Sequence, residues 1–178
     1  MMTNKKRLMV IGGGAAGMMA AITAAEAGAD VTLFERNPKV GRKLYITGKG
    51  RCNVTNHCGA EEVLRNTPCN GKFLYSAMSA FPPAETEAFF ERLGVPLKVE
   101  RGNRVFPQSD KAADIIDALF FAMQRKGVSV INERVLNIRT QDGRIVDQDM
   151  EEALQMTKAF NMDRYQVLEA MTNRKDIL

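Results

Sequence analysis

Three glycines and one glutamate carry the most specific chemical signal in the chain. Gly12-x-Gly14-x-x-Gly17 lies within "VIGGGAAGMMAAI" (Val10–Ile22), and Glu35 follows eighteen residues after Gly17. This spacing suits a bound dinucleotide. Gly12 permits a tight turn, Gly14 lets a pyrophosphate approach the backbone, and Gly17 lets a helix pack close to a strand. The N–H groups around Ala15 and Ala16 would then face the diphosphate at the positive end of that helix. Glu35 would accept hydrogen bonds from a ribose 2′-OH and repel a 2′-phosphate. Two plainer alternatives exist, a glycine-rich turn used for packing and a secretory signal. Three adjacent glycines interrupt the apolar stretch where a signal would stay continuous.

Other reactive residues are sparse. Cys52, Cys58 and Cys69 are an odd count without a disulfide-scaffold pattern, which favours a reducing compartment and places the protein in the cytoplasm. Cys52 and Cys58 are too far apart for a CxxC redox pair. The spacing of His57, the one histidine, with Cys58 and Cys69 matches no common zinc site, so no metal is expected. Between Arg36 and Arg51 there are six cations, Arg36, Lys39, Arg42, Lys43, Lys49 and Arg51, and no acid. A solvated basic loop, a nucleic-acid patch or a site for a small anion all suit that run. It carries only one aromatic residue, Tyr45, for stacking on bases, which argues against nucleic acid.

The elements that position these residues follow from periodicity. "RLMVI" (Arg7–Ile11) reads as a strand running into Gly12, Ala15–Ala27 as a helix stopped by Gly28, and "DVTLFE" (Asp30–Glu35) as a second strand. A mostly irregular segment is expected to about Gly71. Helices then surround "KFLYSAMSAF" and "PAETEAFFERLG", separated by Pro82 and Pro83. "PLKVERGNRVFP" reads as a hairpin turning at Gly102–Asn103. Ser109 is the expected N-cap of a helix with Asp110 at its positive end and an apolar stripe of Ala112, Ile115, Ile116, Leu119, Phe120 and Met123. "VSVI" (Val128–Ile131) is its parallel partner strand, and "RVLNIRT" and "RIV" flank a hairpin turn at Asp142–Gly143.

At 178 residues and 45% hydrophobic, the chain can bury one core, and it holds no apolar run long enough to cross a membrane. Residues 1–146 hold 21 Lys and Arg against 14 Asp and Glu, whereas residues 147–178 hold 4 against 7. The expected organisation is therefore one domain over 1–146 and a tail over 147–178 of different character. Two short amphipathic helices are expected in the tail, around Met150–Phe160 and Arg164–Thr172. They would cap the core with Leu154, Phe160, Tyr165 and Leu168 or bind a partner.

"GGGAAGMMAAI", "ERNPKVGRKLYITGKGRCNVTN" and "ERGNRVFPQSDKAADIIDAL" resemble the YhiN/BaiN-type FAD-dependent oxidoreductases, relatives of the glutathione-reductase-like flavoproteins. The resemblance covers residues 7–146. It implies an α/β, three-layer, Rossmann-like FAD/NAD(P)-binding domain with a parallel sheet and a β-hairpin or meander. It also implies FAD as cofactor and NAD(P)H as electron donor. By this resemblance Gly12, Gly14, Ala15, Ala16 and Gly17 meet the pyrophosphate, Glu35 the adenosine ribose, and Arg36 and Lys43 line the cofactor. Arg51, Cys52 and Asn53 lie toward the flavin, and main-chain groups at Val135 hold the adenine. Members of the family continue into a further strand and a second domain that this sequence lacks, which leads to the expectation of a truncated or internally deleted chain. An incomplete fold of that kind would leave one edge of the Arg7–Ile11 strand open to self-association. A catalytically inactive dinucleotide-binding module and a basic nucleic-acid-binding protein are the alternative functions.

Overall fold

β1 (Arg7–Ile11) delivers the chain into Gly12, which takes a φ of +103°, a region that L side chains rarely occupy. The alanine-rich helix α1 (Ala15–Glu26) follows and ends before Gly28, also at positive φ. β2 (Asp30–Phe34) returns parallel to β1, in register from Arg7 opposite Asp30 to Ile11 opposite Phe34. The computed structural model describes residues 5–138, 140–141 and 144–145. Two units are distinguished, residues 1–135 and 136–178.

In the first unit α6 (Ala112–Arg125) is the crossover that leads to β6 (Ser129–Ile131), which pairs parallel with β2. The sheet order is β1-β2-β6, so the expected α/β class with a parallel sheet is present, and its arrangement is Rossmann-type. Met18, Ala21 and Ile22 of α1 pack with Val31 and Leu33 of β2 and with Ile115, Leu119, Ala122 and Met123 of α6. This burial drives both helices onto one face of the sheet. Among the described residues β1 pairs only with β2, and Leu8, Met9 and Ile11 are 42%, 37% and 55% exposed.

The chain between β2 and α6 is more ordered than its sequence indicates. Where an irregular segment is expected, it forms α2 (Arg42–Ile46), β3 (Thr55–Asn56) and α3 (Ala60–Asn66). These pieces are too short to show a hydrophobic period, so local pattern cannot reveal them. A 3₁₀ turn (Gly71–Leu74) precedes α4 (Tyr75–Ala80) and α5 (Pro83–Arg92). The expected hairpin is present as β4 (Leu97–Glu100) and β5 (Arg104–Pro107), with Gly102 and Asn103 both at positive φ in the turn. β3 joins it to give an antiparallel sheet in the order β3-β5-β4.

Two further expectations need correction. Ser109 does not cap α6, because the helix starts three residues later with Lys111 in the cap position. Asp110, at a φ of 59°, is drawn away from the helix end by Arg51 and Lys98, which donate to its carboxylate at 2.6–2.8 Å. Residues 132–138 form no strand, so among the described residues "RVLNIRT" contributes only Thr140 to the next ladder. In the second unit β7 (Thr140–Gln141) pairs antiparallel with β8 (Arg144–Ile145). The turn at Asp142–Gly143 and the tail helices fall outside the described residues.

The close approach of α1 to β1 is set by Gly17, where a Cβ would stand 1.9 Å from the Gly12 carbonyl oxygen. A methyl group there must push the helix off the strand. Gly17→Ala is therefore expected to lower stability by about 1–3 kcal/mol, the usual cost of overpacking. Urea unfolding followed by circular dichroism checks this; an unchanged midpoint would show that the helix can move away without loss.

Candidate functional site

A cavity of about 810 Å³ opens where β1 and β2 end. It is lined by Gly12, Gly13, Gly14, Ala15, Ala16 and Gly17, by Phe34, Glu35, Arg36 and Asn37, by Arg42, Lys43 and Ile46, and by Glu133, Arg134 and Val135. The carboxyl ends of parallel strands are the customary ligand position in open α/β sheets. α1 points its N-terminus into the cavity with no acidic residue in its first turn and no side-chain cap on its N–H groups. Those N–H groups are left to a ligand, and the helix dipole favours an anion.

The four glycines of the turn divide by cause. Gly12 is fixed by its φ of +103° and Gly17 by its contact with Gly12. At Gly13 a Cβ would lie 2.7 Å from Val40 Cγ1. Gly14 has none of these reasons: its φ of −79° and ψ of −177° suit any residue, and a Cβ there would meet nothing within 4 Å. The space beside Gly14 is cavity.

Glu35 is buried behind the turn. Its Oε2 accepts a hydrogen bond from the Gly13 N–H at 2.7 Å, and its Oε1 accepts from the Asn37 N–H at 2.8 Å and from Asn37 Nδ2. Burial alone pushes its carboxyl upward. The N–H donors of Asn37 and Gly13, the Asn37 amide and the nearby Arg36 charge outweigh that, and the net shift is downward from the ordinary glutamate value. Arg36, Arg42, Lys43 and Arg134 set four cations on the lining against Glu35 and Glu133, so the cavity carries an excess of positive charge.

The model of the HI0933-like protein Rossmann domain matches residues 6–160. The chain belongs to this family. It is 35% identical over 126 residues to a 3-dehydro-bile acid delta(4,6)-reductase of Clostridium scindens, covering 70% of this chain and 30% of that protein. It is 30% identical over 132 residues to a ribosomal RNA dihydrouridine synthase of Escherichia coli, covering 73% of this chain and 32% of that protein. The chain therefore spans about a third of the length of these relatives. A quinol-fumarate reductase structure shares the fold with a TM-score of 0.54 at 18% identity, over 80% of this chain and 29% of that one.

Within this HI0933-like domain the cavity gathers Gly12, Gly14, Ala15, Ala16, Gly17, Glu35, Arg36, Lys43 and Val135 from the expected set. It adds Gly13, Asn37, Arg42, Ile46 and Arg134, which sequence reasoning passed over. Arg42 was within reach, lying in the acid-free run, and Arg134 adjoins Val135. Nothing in the sequence marks Asn37.

Arg51, Cys52 and Asn53 do not line this cavity. Arg51 lies 4.3 Å from the centre of the Phe106 ring and pairs with Asp110 at 2.6 Å and with Glu100. Hydrogen bonds from Arg51 lower the Glu100 carboxyl, and those from Lys98 and Arg51 lower the Asp110 carboxyl. Cys52 is 1% exposed within the core cluster, and burial raises its thiol above the ordinary value. Asn53 donates through Nδ2 to the carbonyls of Thr55 and Val105 at 2.7 and 3.1 Å. It faces a second cavity of about 410 Å³ that also holds Cys58, a thiol raised by desolvation and by Glu62 and Glu87. Raised thiols are poor nucleophiles at neutral pH. Among the described residues no three His, Cys, Asp or Glu side chains gather as a metal cluster.

The lowered Glu35 carboxyl links stability to pH. Its contribution is complete above the ordinary glutamate range and is lost as pH falls through its lower folded-state value. Glu35→Gln should be less stable than wild type at neutral pH, by about 1–3 kcal/mol for charge-assisted bonds to buried donors. The two melting curves should converge as pH falls from the ordinary glutamate range through the lowered folded-state value of Glu35. A difference that persists unchanged into acid would show that the charge of Glu35 is not what matters.

Proposed function

We propose that the chain is the FAD-binding portion of a flavoprotein oxidoreductase, with NAD(P)H as the electron donor of the whole protein. The observation that carries this reading is Gly14. Backbone geometry and packing leave room for a Cβ at that position, so the space a side chain would fill is left to what enters the cavity. A diphosphate fits there, against the uncapped first turn of α1 and under the positive lining.

The residues present fit the group. Gly14, Ala15 and Ala16 would hold the pyrophosphate through backbone N–H groups, and Arg36, Arg42 and Lys43 would balance its charge. Glu35 keeps one acceptor position on Oε2 after serving Gly13, and that position would take a ribose hydroxyl. The main chain at Val135 would meet the adenine edge. Bound FAD supplies the two-electron redox chemistry, and the protein supplies orientation and electrostatics. Family membership and a relative named as a reductase support the oxidoreductase class.

A small-molecule partner is favoured over nucleic acid because three cations of the acid-free run, Arg36, Arg42 and Lys43, line the cavity. Arg42 is hydrogen-bonded to Asn37, and Arg51 is paired with Glu100 and Asp110. Cys52, Cys58 and Cys69 are free thiols, in keeping with a cytoplasmic setting. A dinucleotide-binding module without catalysis of its own is the second reading. It is favoured by a lining that, among the described residues, includes no His, Cys, Ser or Tyr.

Flavin fluorescence quenching on titration of FAD tests the proposal. Wild type should bind. Gly14→Ala should weaken binding roughly tenfold while changing stability by no more than about 1 kcal/mol, the cost of alanine at an N-cap. Gly14→Glu should abolish binding in a protein that still folds, since its carboxylate would occupy the phosphate position. Equal binding by wild type and Gly14→Glu would remove the site.

A further inference from the structure

Asn37 has no chemical signature in the sequence, yet every polar group it owns is used, and together they reach three segments around the cavity. Its backbone N–H and its Nδ2 both donate to Glu35 Oε1, at the end of β2. Its Oδ1 accepts from an Arg42 guanidinium nitrogen at 2.9 Å, in the first turn of α2. Its carbonyl accepts from Asn132 Nδ2 at 2.9 Å, in the segment that leaves β6 toward Glu133, Arg134 and Val135. Turning the amide over would set oxygen against carboxylate and nitrogen against guanidinium, so these contacts fix one orientation.

We infer that Asn37 is the positioning residue of the ribose end of the cavity: it aims the Glu35 carboxylate and joins β2, α2 and the segment after β6. The inference rests on the dinucleotide reading of the cavity. With two donors on Oε1 and the Gly13 N–H on Oε2, the carboxylate cannot rotate, and one acceptor position remains, on Oε2. A ribose hydroxyl that meets this position finds an acceptor already oriented, so little is lost in ordering it on binding. Without the Asn37 amide, Oε1 loses a donor and the carboxylate gains freedom, and selectivity for the hydroxyl should fall more than affinity for the phosphates.

The experiment is a cycle of ligand and mutation on the full chain, with ADP and 2′-deoxy-ADP as probes and calorimetry as readout. Wild type should bind ADP about tenfold more tightly than 2′-deoxy-ADP, the worth of one hydrogen bond to a charged group. Glu35→Ala sets the floor, with a ratio near one. Asn37→Ala and Asn37→Asp should both fall toward that floor. Asn37→Asp keeps an oxygen for Arg42 but sets a carboxylate oxygen against Glu35 in place of the donor, so it reverses that arm alone and stands in should Asn37→Ala fold poorly. Variants that weaken both ligands equally and keep the wild-type ratio would overturn the assignment, since a merely structural residue behaves that way. Wild type that binds ADP with no preference for the 2′-hydroxyl would overturn it while leaving the dinucleotide site standing. Wild type that binds neither probe would overturn both.

Discussion

A buried hydrogen bond from the Gly13 N–H to Glu35 Oε2 at 2.7 Å, beside the backbone bond from the Gly12 N–H to the Phe34 carbonyl, ties the turn after β1 to the end of β2. Its acceptor is a carboxylate largely withdrawn from water, a state that is tolerable when donors within the protein hold the charge. Gly13 reciprocates on its other side, where its carbonyl accepts from the Gly41 N–H at 2.7 Å. A Cβ on Gly41 would in turn lie 2.8 Å from Ile116 of α6. A chain of contacts thus runs from the crossover helix through Gly41 and Gly13 to Glu35. The cradle is supported from behind by the hydrophobic core and left open in front.

Charge is distributed on the same plan. Read along the sequence, the stretch from Arg36 to Arg51 is one basic run, but folding divides it. Arg36, Arg42 and Lys43 face the cavity, whereas Arg51 holds β4 and the approach to α6 through Glu100 and Asp110. That second cluster also contains Lys98, so its charges are balanced within the protein. Its members are partly exposed, and such pairs contribute little stability individually. Their effect lies in direction. They pull Asp110 into a left-handed conformation and delay the start of α6 to Ala112.

These particulars show what a sequence exposes and what it conceals. β1, α1, β2 and α6 were legible because each is long enough to display its period and is bounded by glycine. The hairpin was legible in Gly102–Asn103. α2 and α3 were not, since five and seven residues show too little of a repeat, and their place is set by contacts with distant segments. The cavity followed the same division. Its glycines and Glu35 are encoded by spacing, while Asn37 works through Arg42 and Asn132, partners five and ninety-five residues away. Cys52 shows the converse: a reactive residue type beside a family motif that the fold places in the core.

The glycines carry the distinction between folding and function furthest. A turn needs positive φ at Gly12, a helix packed on a strand needs Gly17, and a buried carboxylate with Val40 beside it needs Gly13. Each of those demands is met inside the protein and would be met equally in a domain that bound nothing. Gly14 alone among them answers to no contact and no dihedral, and a Cβ there would meet no atom of the fold within 4 Å. A residue under none of those demands, at the mouth of a positively lined cavity and at the uncapped end of a helix, leaves its space to the ligand proposed for the cavity.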